Sequence, residues 1–304
     1  MKAIEFFSGI GAFSEAGRNF EIEVVAAFDQ NVDANETFAH NFGLNPSDRT
    51  LDSLKADSIP SAEIWWLSPP CTPYTVRGNG KDLADNRAKS LLNLIQLMVK
   101  LQPETIMIEN VLAFKSSQAN QHLRDSLTRN GYYFVSYDLC SSDFAVPMKR
   151  PRHFIVATLN SSLIGRFKPF SRSTIEPIEL NSFLQEDRAE LLVPPDIMSR
   201  YGDGFDLVER QTNQLLSCFT KNYAKCMKAS GSLLNTELGP RRFSPEEILR
   251  LLGFSEVYNF PNSISTQARW RLVGNSVDVR AIGHLFDCLT GTCVEHLSAR
   301  NLVV

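Results

Sequence analysis

The stretch AIEFFSGIGAFSEAG, residues 3–17, decides the fold class that the sequence predicts. Its apolar start, Ala3–Phe7, is typical of a buried strand, and Gly11–Asn19 has the pattern of the helix that follows. The glycines between them let the backbone approach a ligand closely, and the amino end of a helix favours a negative group. A dinucleotide fingerprint would need a third glycine, where this chain has Ser14. The loop therefore favours a nucleoside ligand over a pyrophosphate, and a plain turn is the alternative when the loop is taken alone.

Short apolar runs alternate with helical patterns through the first 160 residues. After the opening pair, the predicted strands and helices are, in chain order, Val24–Phe28, Val32–Asn41, Ile64–Ser68, Ala88–Lys100, Thr105–Ile108 and Gln118–Asn130. Tyr132–Leu139 and His153–Thr158 follow as a predicted antiparallel pair of strands. This alternation predicts an α/β fold with a mostly parallel sheet covered by helices on both faces.

The chain changes character after Leu159. Residues 160–240 are irregular and contain many prolines, and then Ser244–Leu252 and Val277–Leu289 have helical patterns. The first of these two helices begins with a serine N-cap, a proline and a glutamate in capping-box spacing. We therefore predict three parts: a catalytic α/β domain at 1–159, a small segment at 160–240, and a C-terminal return at 241–304 that completes the α/β domain.

The composition is that of an ordinary globular protein, with 43% hydrophobic and 21% charged residues among 304. The apolar runs are too short to span a bilayer and the first residues lack a signal-peptide layout, so we expect an intracellular protein. Six scattered cysteines form no CxxC pair, which disfavours a disulfide framework and a zinc site. The net charge is −3, yet basic stretches within 143–172 and 221–242 favour a nucleic-acid-binding face, with solvated loops as the alternative.

Acidic residues stand at two places where a nucleoside would need partners. Asp29 comes directly after the second predicted strand, with Gln30 beside it, and an acid there accepts hydrogen bonds from ribose hydroxyls. Asp52 precedes the third strand and suits an adenine amino group. With an acid in the expected place, a nucleoside cofactor becomes the favoured interpretation of the glycine loop.

A stiff loop holds a single thiol at the end of the third strand. In Ser68-Pro69-Pro70-Cys71 the prolines fix φ and remove hydrogen-bond donors, so the thiol has one orientation, as a nucleophile requires. Glu109 ends the next predicted strand and therefore projects from the same sheet edge, where desolvation would keep it protonated. The alternatives are a buried cysteine in a turn and a helix-capping acid.

Two arginines, Arg150 and Arg152, precede the strand His153–Thr158. Their guanidinium groups suit a carboxylate, a base edge or a phosphate. Taken alone, they would be ordinary surface charges.

Together these motifs resemble those of the cytosine-C5 methyltransferases. The order matches over nearly the whole chain: Phe-x-Gly-x-Gly, Pro-Pro-Cys, Glu109-Asn110-Val111, Arg-x-Arg and Gly274-Asn275-Ser276-Val277. SCFTKNY at 217–223 and RFSPEEILRLLGF at 242–254 resemble the type-two DNA methyltransferase homologues, which methylate cytosine 38 in the anticodon loop of the aspartate tRNA. The small 160–240 segment fits that branch, because sequence-specific DNA enzymes usually carry a larger target-recognition domain.

The resemblance implies a Rossmann-like class I methyltransferase fold with a small target-recognition domain. It also implies S-adenosylmethionine as the methyl donor, S-adenosylhomocysteine as a product, and no required metal. The Cys71 thiolate would add to carbon 6 of the cytosine, Glu109 would hydrogen-bond to the ring at nitrogen 3, and Arg152, with Arg150 nearby, would orient the ring. The implied cofactor residues are Phe7, Ser8, Gly9, Ile10, Gly11, Asp29, Gln30, Asp52, Pro70, Asn275, Ser276 and Val277.

Basic residues would hold the substrate strand. The predicted contacts are Arg77, Lys81, Arg87, Lys89 and Lys221. For the four that follow the cysteine, a solvated loop is the alternative. Two positions depart from the family pattern, because Thr72 and Met148 stand where glutamine is usual, which affects substrate contacts more than the chemistry.

The expected partner is a tRNA, with DNA as a weak second substrate, bound by a monomer in the cytoplasm or, in a eukaryote, also in the nucleus. A DNA cytosine-5 methyltransferase and a catalytically silent nucleic-acid-binding relative are the competing hypotheses. The complete set of Cys71, Glu109 and Arg152 disfavours the silent relative. Ser14 disfavours a nicotinamide dehydrogenase.

Overall fold

Two sheets organise the molecule, whose computed structural model describes residues 1–72, 82–167, 176–225 and 228–292. The strands are β1 Lys2–Phe6, β2 Glu23–Phe28, β3 Ile64–Leu67, β4 Thr105–Asn110, β5 Tyr133–Leu139, β6 Arg152–Thr158, β7 Leu207–Val208, β8 Leu233–Leu234 and β9 Arg241–Arg242. The first six form one sheet in the order β2-β1-β3-β4-β6-β5, and the last three form a small one. In the large sheet β2, β1, β3 and β4 are parallel, and β6 is antiparallel to both β4 and β5.

The helices alternate with the strands in the first half of the chain, as the sequence predicts. They are α1 Ala12–Gly17, α2 Val32–Phe42, α3 Lys89–Leu101, α4 Gln118–Arg129, α5 Ser161–Ile164, α6 Pro195–Tyr201, α7 Pro245–Leu251, α8 Thr266–Asn275 and α9 Val279–Thr290. The predicted α/β class and the antiparallel β5–β6 pair are confirmed. None of the helices within the described ranges has the length and apolar character needed to cross a membrane.

Alternate residues of β3 cover both faces of the large sheet. Trp65 lies in the core formed with α3 and α4, and its ring centroid is 5.0 Å from that of Phe6. Trp66 points the other way and packs at 5.2 Å against Phe13 of α1, which also contacts Phe286 of α9. Because side chains of a strand alternate between faces, one buried strand requires helices on both sides.

Two units account for the described residues. The first is formed from 1–139, 151–171 and 282–296, and the second from 140–150 and 172–281. The domain boundaries at 159/160 and 240/241 stay a prediction.

The second unit has little regular structure, and buried polar bonds hold it. Arg241 is fully buried, and its guanidinium lies 2.7 Å from Asp187 and 2.8 Å from Glu247. Glu247 also accepts a hydrogen bond from the backbone of Ser244, whose hydroxyl caps α7, as predicted. Residues 160–240, predicted as irregular, nevertheless contain α5, α6, β7 and β8.

Candidate active site

The carboxyl ends of β1, β3 and β4 meet at one edge of the large sheet, and this edge carries the candidate site. The glycine loop follows β1, the Pro-Pro-Cys loop follows β3, and Glu109 and Asn110 form the last two residues of β4. The sequence placed the end of β4 two residues earlier. Parallel pairing of the three strands puts these motifs side by side, as predicted.

The glycine loop is fixed to the end of β2 by two hydrogen bonds, and a third holds the acid that accepts one of them. The backbone N–H of Ser8 donates to the carbonyl of Phe28 at 3.0 Å, and that of Gly9 donates to the carboxylate of Asp29 at 2.8 Å. The other carboxylate oxygen of Asp29 accepts from the backbone of Asn31 at 2.8 Å. Burial raises the pKa of Asp29, although these backbone bonds oppose the shift.

The two glycines of the loop serve different purposes. Both have positive φ, +52° at Gly9 and +83° at Gly11. A side chain on Gly11 would stand 2.4 Å from the ring of Phe42, so packing requires this glycine. A side chain on Gly9 would meet no atom within 4 Å, so its outer side is open to a ligand.

The other predicted cofactor residues of the first unit differ in exposure. Ile10 is buried, Gln30 is exposed, and Pro70 is partly buried. Asp52 is exposed and accepts a hydrogen bond from the hydroxyl of Ser90.

A hydrogen bond joins the loop after β1 to the loop after β3. The carbonyl of Phe7, a residue with φ of +56°, accepts a hydrogen bond from the Ser68 hydroxyl at 2.9 Å. The hydroxyl of Ser8 is buried and has no hydrogen-bond partner among the described residues. A buried hydroxyl of this kind is a ready donor for a ligand.

Glu5 is a residue of this site that the sequence reasoning missed. It lies in the middle of β1, is 1% exposed, and accepts a hydrogen bond from the Ser14 hydroxyl at 2.6 Å. Burial raises its pKa to about 8. Ser14 thus replaces the third glycine of a dinucleotide loop with a donor to a buried acid. The signal in the sequence was an acid inside an apolar strand.

The cysteine loop is held from the neighbouring strand. The side-chain amide of Asn110 donates to the carbonyl of Pro69 at 2.8 Å, two residues before Cys71. Asn110 is 2% exposed, so this bond is protected from water. Cys71 itself is a free thiol of intermediate exposure. The stiffness predicted from the prolines therefore has a second source.

Glu109 and Arg152 form an ion pair beside this loop. Arg152 Nε lies 3.1 Å from Glu109 Oε1, and both side chains are largely buried. Since β6 is antiparallel to β4, its first residue lies at the carboxyl edge of β4. This strand placement, which the sequence did not predict, brings the arginine to the acid.

Arg150 has different surroundings in the second unit. It is 2% exposed, and its guanidinium donates to the carbonyls of Phe219, at 2.8 Å, and Gly274, at 3.1 Å. It also donates to the carbonyl of Ser276 and, at 3.1 Å, to Cys218 Sγ. The geometry is that of an arginine that holds chain segments together.

The predicted motif Asn275-Ser276-Val277 also lies in the second unit. Asn275 is the exposed last residue of α8, a helix that the sequence analysis missed. Ser276 and Val277 are buried, and the Ser276 hydroxyl has no hydrogen-bond partner within the described ranges. A side chain on Gly274 would stand 2.4 Å from the backbone nitrogen of Lys221, so this motif requires glycine.

The predicted substrate contacts have different outcomes. Arg77 and Lys81 lie outside the described residues. Arg87 makes a two-bond ion pair with Asp85, which raises the pKa of Arg87. The remaining two, Lys89 and Lys221, are exposed.

Comparison with known proteins gives consistent matches. The family model described as "C-5 cytosine-specific DNA methylase" matches residues 1–236 and 198–290. The tRNA (cytosine(38)-C(5))-methyltransferase of Schizosaccharomyces pombe is 28% identical, covering 95% of this chain and 96% of its own. A DNA (cytosine-5)-methyltransferase of Dictyostelium discoideum is also 28% identical, covering 95% and 94%. The crystal structure of the S. pombe Dnmt2 methyltransferase has a TM-score of 0.85 at 27% identity, covering 96% of this chain and 99% of that one.

Proposed function

The chain belongs to the C-5 cytosine methyltransferase family, in its Dnmt2 branch, and we propose that its substrate is a tRNA, methylated at cytosine 38 of the anticodon loop. The reaction class, S-adenosylmethionine-dependent methylation of cytosine carbon 5, is that of the family. The observation that carries the tRNA proposal is the similarity over nearly the full length of both chains to a relative named for this tRNA position. The aspartate tRNA is the favoured isoacceptor.

The residues of the first unit fit S-adenosylmethionine. The open side of Gly9 gives the ligand access to the backbone, and the unpartnered hydroxyl of Ser8 offers a buried donor. Asp29 would hold the ribose, and Asp52 would accept from the adenine amino group. Bound there, the cofactor supplies an electrophilic methyl group.

Three side chains would perform the chemistry on the base. The Cys71 thiolate would form a bond to carbon 6, which makes carbon 5 nucleophilic enough to take the methyl group that the cofactor supplies. A base such as water would then accept the carbon 5 proton, and β-elimination of the Cys71 thiolate would restore the double bond between carbons 5 and 6. Glu109 would hydrogen-bond to nitrogen 3 and stabilise the adduct. Arg152, paired with Glu109 at 3.1 Å, would keep that carboxyl group in place and orient the ring. A loop nucleotide can be unstacked at lower cost than a base in a duplex.

A labelling experiment tests the proposal. Purified protein with methyl-labelled S-adenosylmethionine is offered an aspartate tRNA transcript, the same transcript with uracil at position 38, and duplex DNA. We expect label in the first only, and its loss in Cys71→Ala. Label that persists with uracil at 38 would contradict the assigned position.

The DNA alternative has its own support, since the Dictyostelium relative named for DNA is as similar as the one named for tRNA. Label in duplex DNA at an equal or higher rate would establish this alternative. One further variant separates chemistry from binding: Glu109→Gln is expected to lower the methylation rate by about 10²- to 10⁴-fold while the protein still binds the tRNA.

A further inference from the structure

Arg242 is an arginine without an ionic partner in the second unit. It lies on β9 next to Arg241, but the two side chains have opposite surroundings. Arg241 is neutralised by Asp187 and Glu247, whereas Arg242 makes no ion pair and no side-chain hydrogen bond with any described residue. Its Nε is buried and has no partner in this part of the chain.

Arg242 is nevertheless held on a fixed aromatic surface. Its Cζ lies 5.7 Å from the centroid of the Trp270 ring. The indole N–H of Trp270 donates to the carbonyl of Phe243 at 2.8 Å, and the backbone N–H of Phe243 donates to the Tyr223 hydroxyl at 3.0 Å. The guanidinium therefore lies over a ring that hydrogen bonds hold in place.

Keeping Arg242 charged costs free energy of desolvation, because its side chain is partly buried. Burial lowers the pKa of Arg242, and Tyr223 makes a smaller electrostatic contribution that opposes this shift. A half-buried cation without a carboxylate is unusual, because paired neighbours normally offset the desolvation. The neighbouring charges have the same sign, since the exposed Lys221 and Lys225 flank Tyr223 in the chain.

We propose that Arg242 is a substrate-binding residue whose guanidinium, held over the Trp270 ring, binds a phosphate of the nucleic-acid backbone. A planar fork whose N–H donors have no acceptor among the described residues matches a phosphate, and a phosphate anion supplies the negative charge that those residues do not. The inference deepens the proposed function, because it requires a nucleic-acid substrate but not a particular tRNA.

Arg269 provides a matched control in the same unit. Its guanidinium also lies over an aromatic ring, 5.4 Å from the centroid of Phe260. Unlike Arg242, it is satisfied internally, by Glu246 at 3.2 Å and by the carbonyls of Ile264 and Pro261. The two arginines differ in whether a partner is present, so their variants isolate that property.

The test measures equilibrium binding against salt. Fluorescence anisotropy with a labelled aspartate tRNA transcript, and with a labelled DNA duplex, gives the slope of log Kobs against log salt for the wild type, Arg242→Gln, Arg242→Lys and Arg269→Gln. One lost phosphate contact lowers the slope by about 0.9, which is about an eightfold loss of affinity at 0.1 M salt. We expect this change for Arg242→Gln, and unchanged slopes for Arg242→Lys and Arg269→Gln.

Thermal unfolding separates binding from a structural role. Arg269→Gln is expected to lower the melting temperature, whereas Arg242→Gln is expected to leave it unchanged or raise it, because an unpaired buried charge is removed. A wild-type slope in Arg242→Gln would overturn the inference. If Arg242→Gln fails to fold, Arg242→Met, which keeps an apolar contact with Trp270, replaces it under the same criterion. Failure of both to fold would overturn the inference, since the cation would then be part of the fold.

The outcomes also distinguish this inference from the proposed function. If the wild type binds only the DNA duplex, the tRNA proposal fails and the Arg242 comparison is made on DNA. If the wild type binds neither nucleic acid, both fail.

Discussion

Glu5 of the first unit and Arg241 of the second are both buried, but only Arg241 has oppositely charged partners among the described residues. In the first unit burial raises the pKa of Glu5 to about 8, and burial lowers the pKa of His284 to about 4. In the second unit Arg241 is buried together with two carboxylates. A solitary buried group favours its uncharged form, whereas a paired group keeps its charge but depends on its partners. The solitary group makes stability depend on pH, whereas the paired group makes stability depend on whether its partners stay in place.

The largest expected effect comes from Glu5. Its pKa is higher in the folded than in the unfolded chain, so its contribution is complete below pH 4.5 and is lost as the pH rises to about 8. Between these two pH values the free energy of unfolding is expected to fall by about 5 kcal/mol. We expect Glu5→Gln to remove this pH dependence from the free energy of unfolding measured with urea.

Glu63→Gln is the control for that experiment, because Glu63 is an exposed acid of the same unit. Parallel pH profiles for the wild type and Glu5→Gln would show that Glu5 is not buried in the neutral form.

The second prediction breaks the paired arrangement. Arg241→Met leaves Glu247 buried without its cation, and we expect the free energy of unfolding to fall by about 3–5 kcal/mol. Arg188, exposed and 3.7 Å from Glu246, is the control, and Arg188→Met should change stability by about 1 kcal/mol or less. Equal losses in the two variants would contradict the view that burial makes stability depend on the Arg241 pair.

The third prediction concerns His284 in the first unit. Its folded pKa is depressed, so its contribution is complete above pH 6.5 and is lost as the pH falls to about 4. We expect a loss of about 3 kcal/mol over that window, absent in His284→Gln. His122→Gln, at an exposed position of α4, should retain the loss. Wild-type behaviour in His284→Gln would assign the acid transition to other groups.

The smallest expected effect sharpens the account of Glu5. Ser14→Ala removes the hydroxyl that donates to this acid at 2.6 Å, and we expect a loss of about 1–2 kcal/mol that is greatest where Glu5 is ionised. Ser90→Ala, which removes a bond to the exposed Asp52, should have less effect. Urea unfolding at pH 6 and pH 9 would compare the two variants. A larger loss for Ser14→Ala at pH 6 than at pH 9 would show that the bond does not favour ionised Glu5.

The two units also differ in how much of their structure could be predicted from the sequence. The large sheet was predictable, because buried parallel strands such as Ile64–Leu67 are continuous apolar runs, and their carboxyl ends must share an edge. The pairing of Glu109 with Arg152 was not, since it depends on which strand lies next to β4. The second unit was largely unpredictable, because strands of two residues carry no periodicity and half of the ten residues of α8 are polar.

The placement of Phe286 has a consequence for synthesis on the ribosome. This residue of α9 is fully buried and packs at 5.0 Å against Phe13 and at 5.2 Å against Phe20. Its two partners are made first, but more than 250 residues are translated before it emerges to cover them. A nascent chain must therefore carry the earliest part of its core uncovered through most of translation, and shielding by chaperones would matter most during that interval.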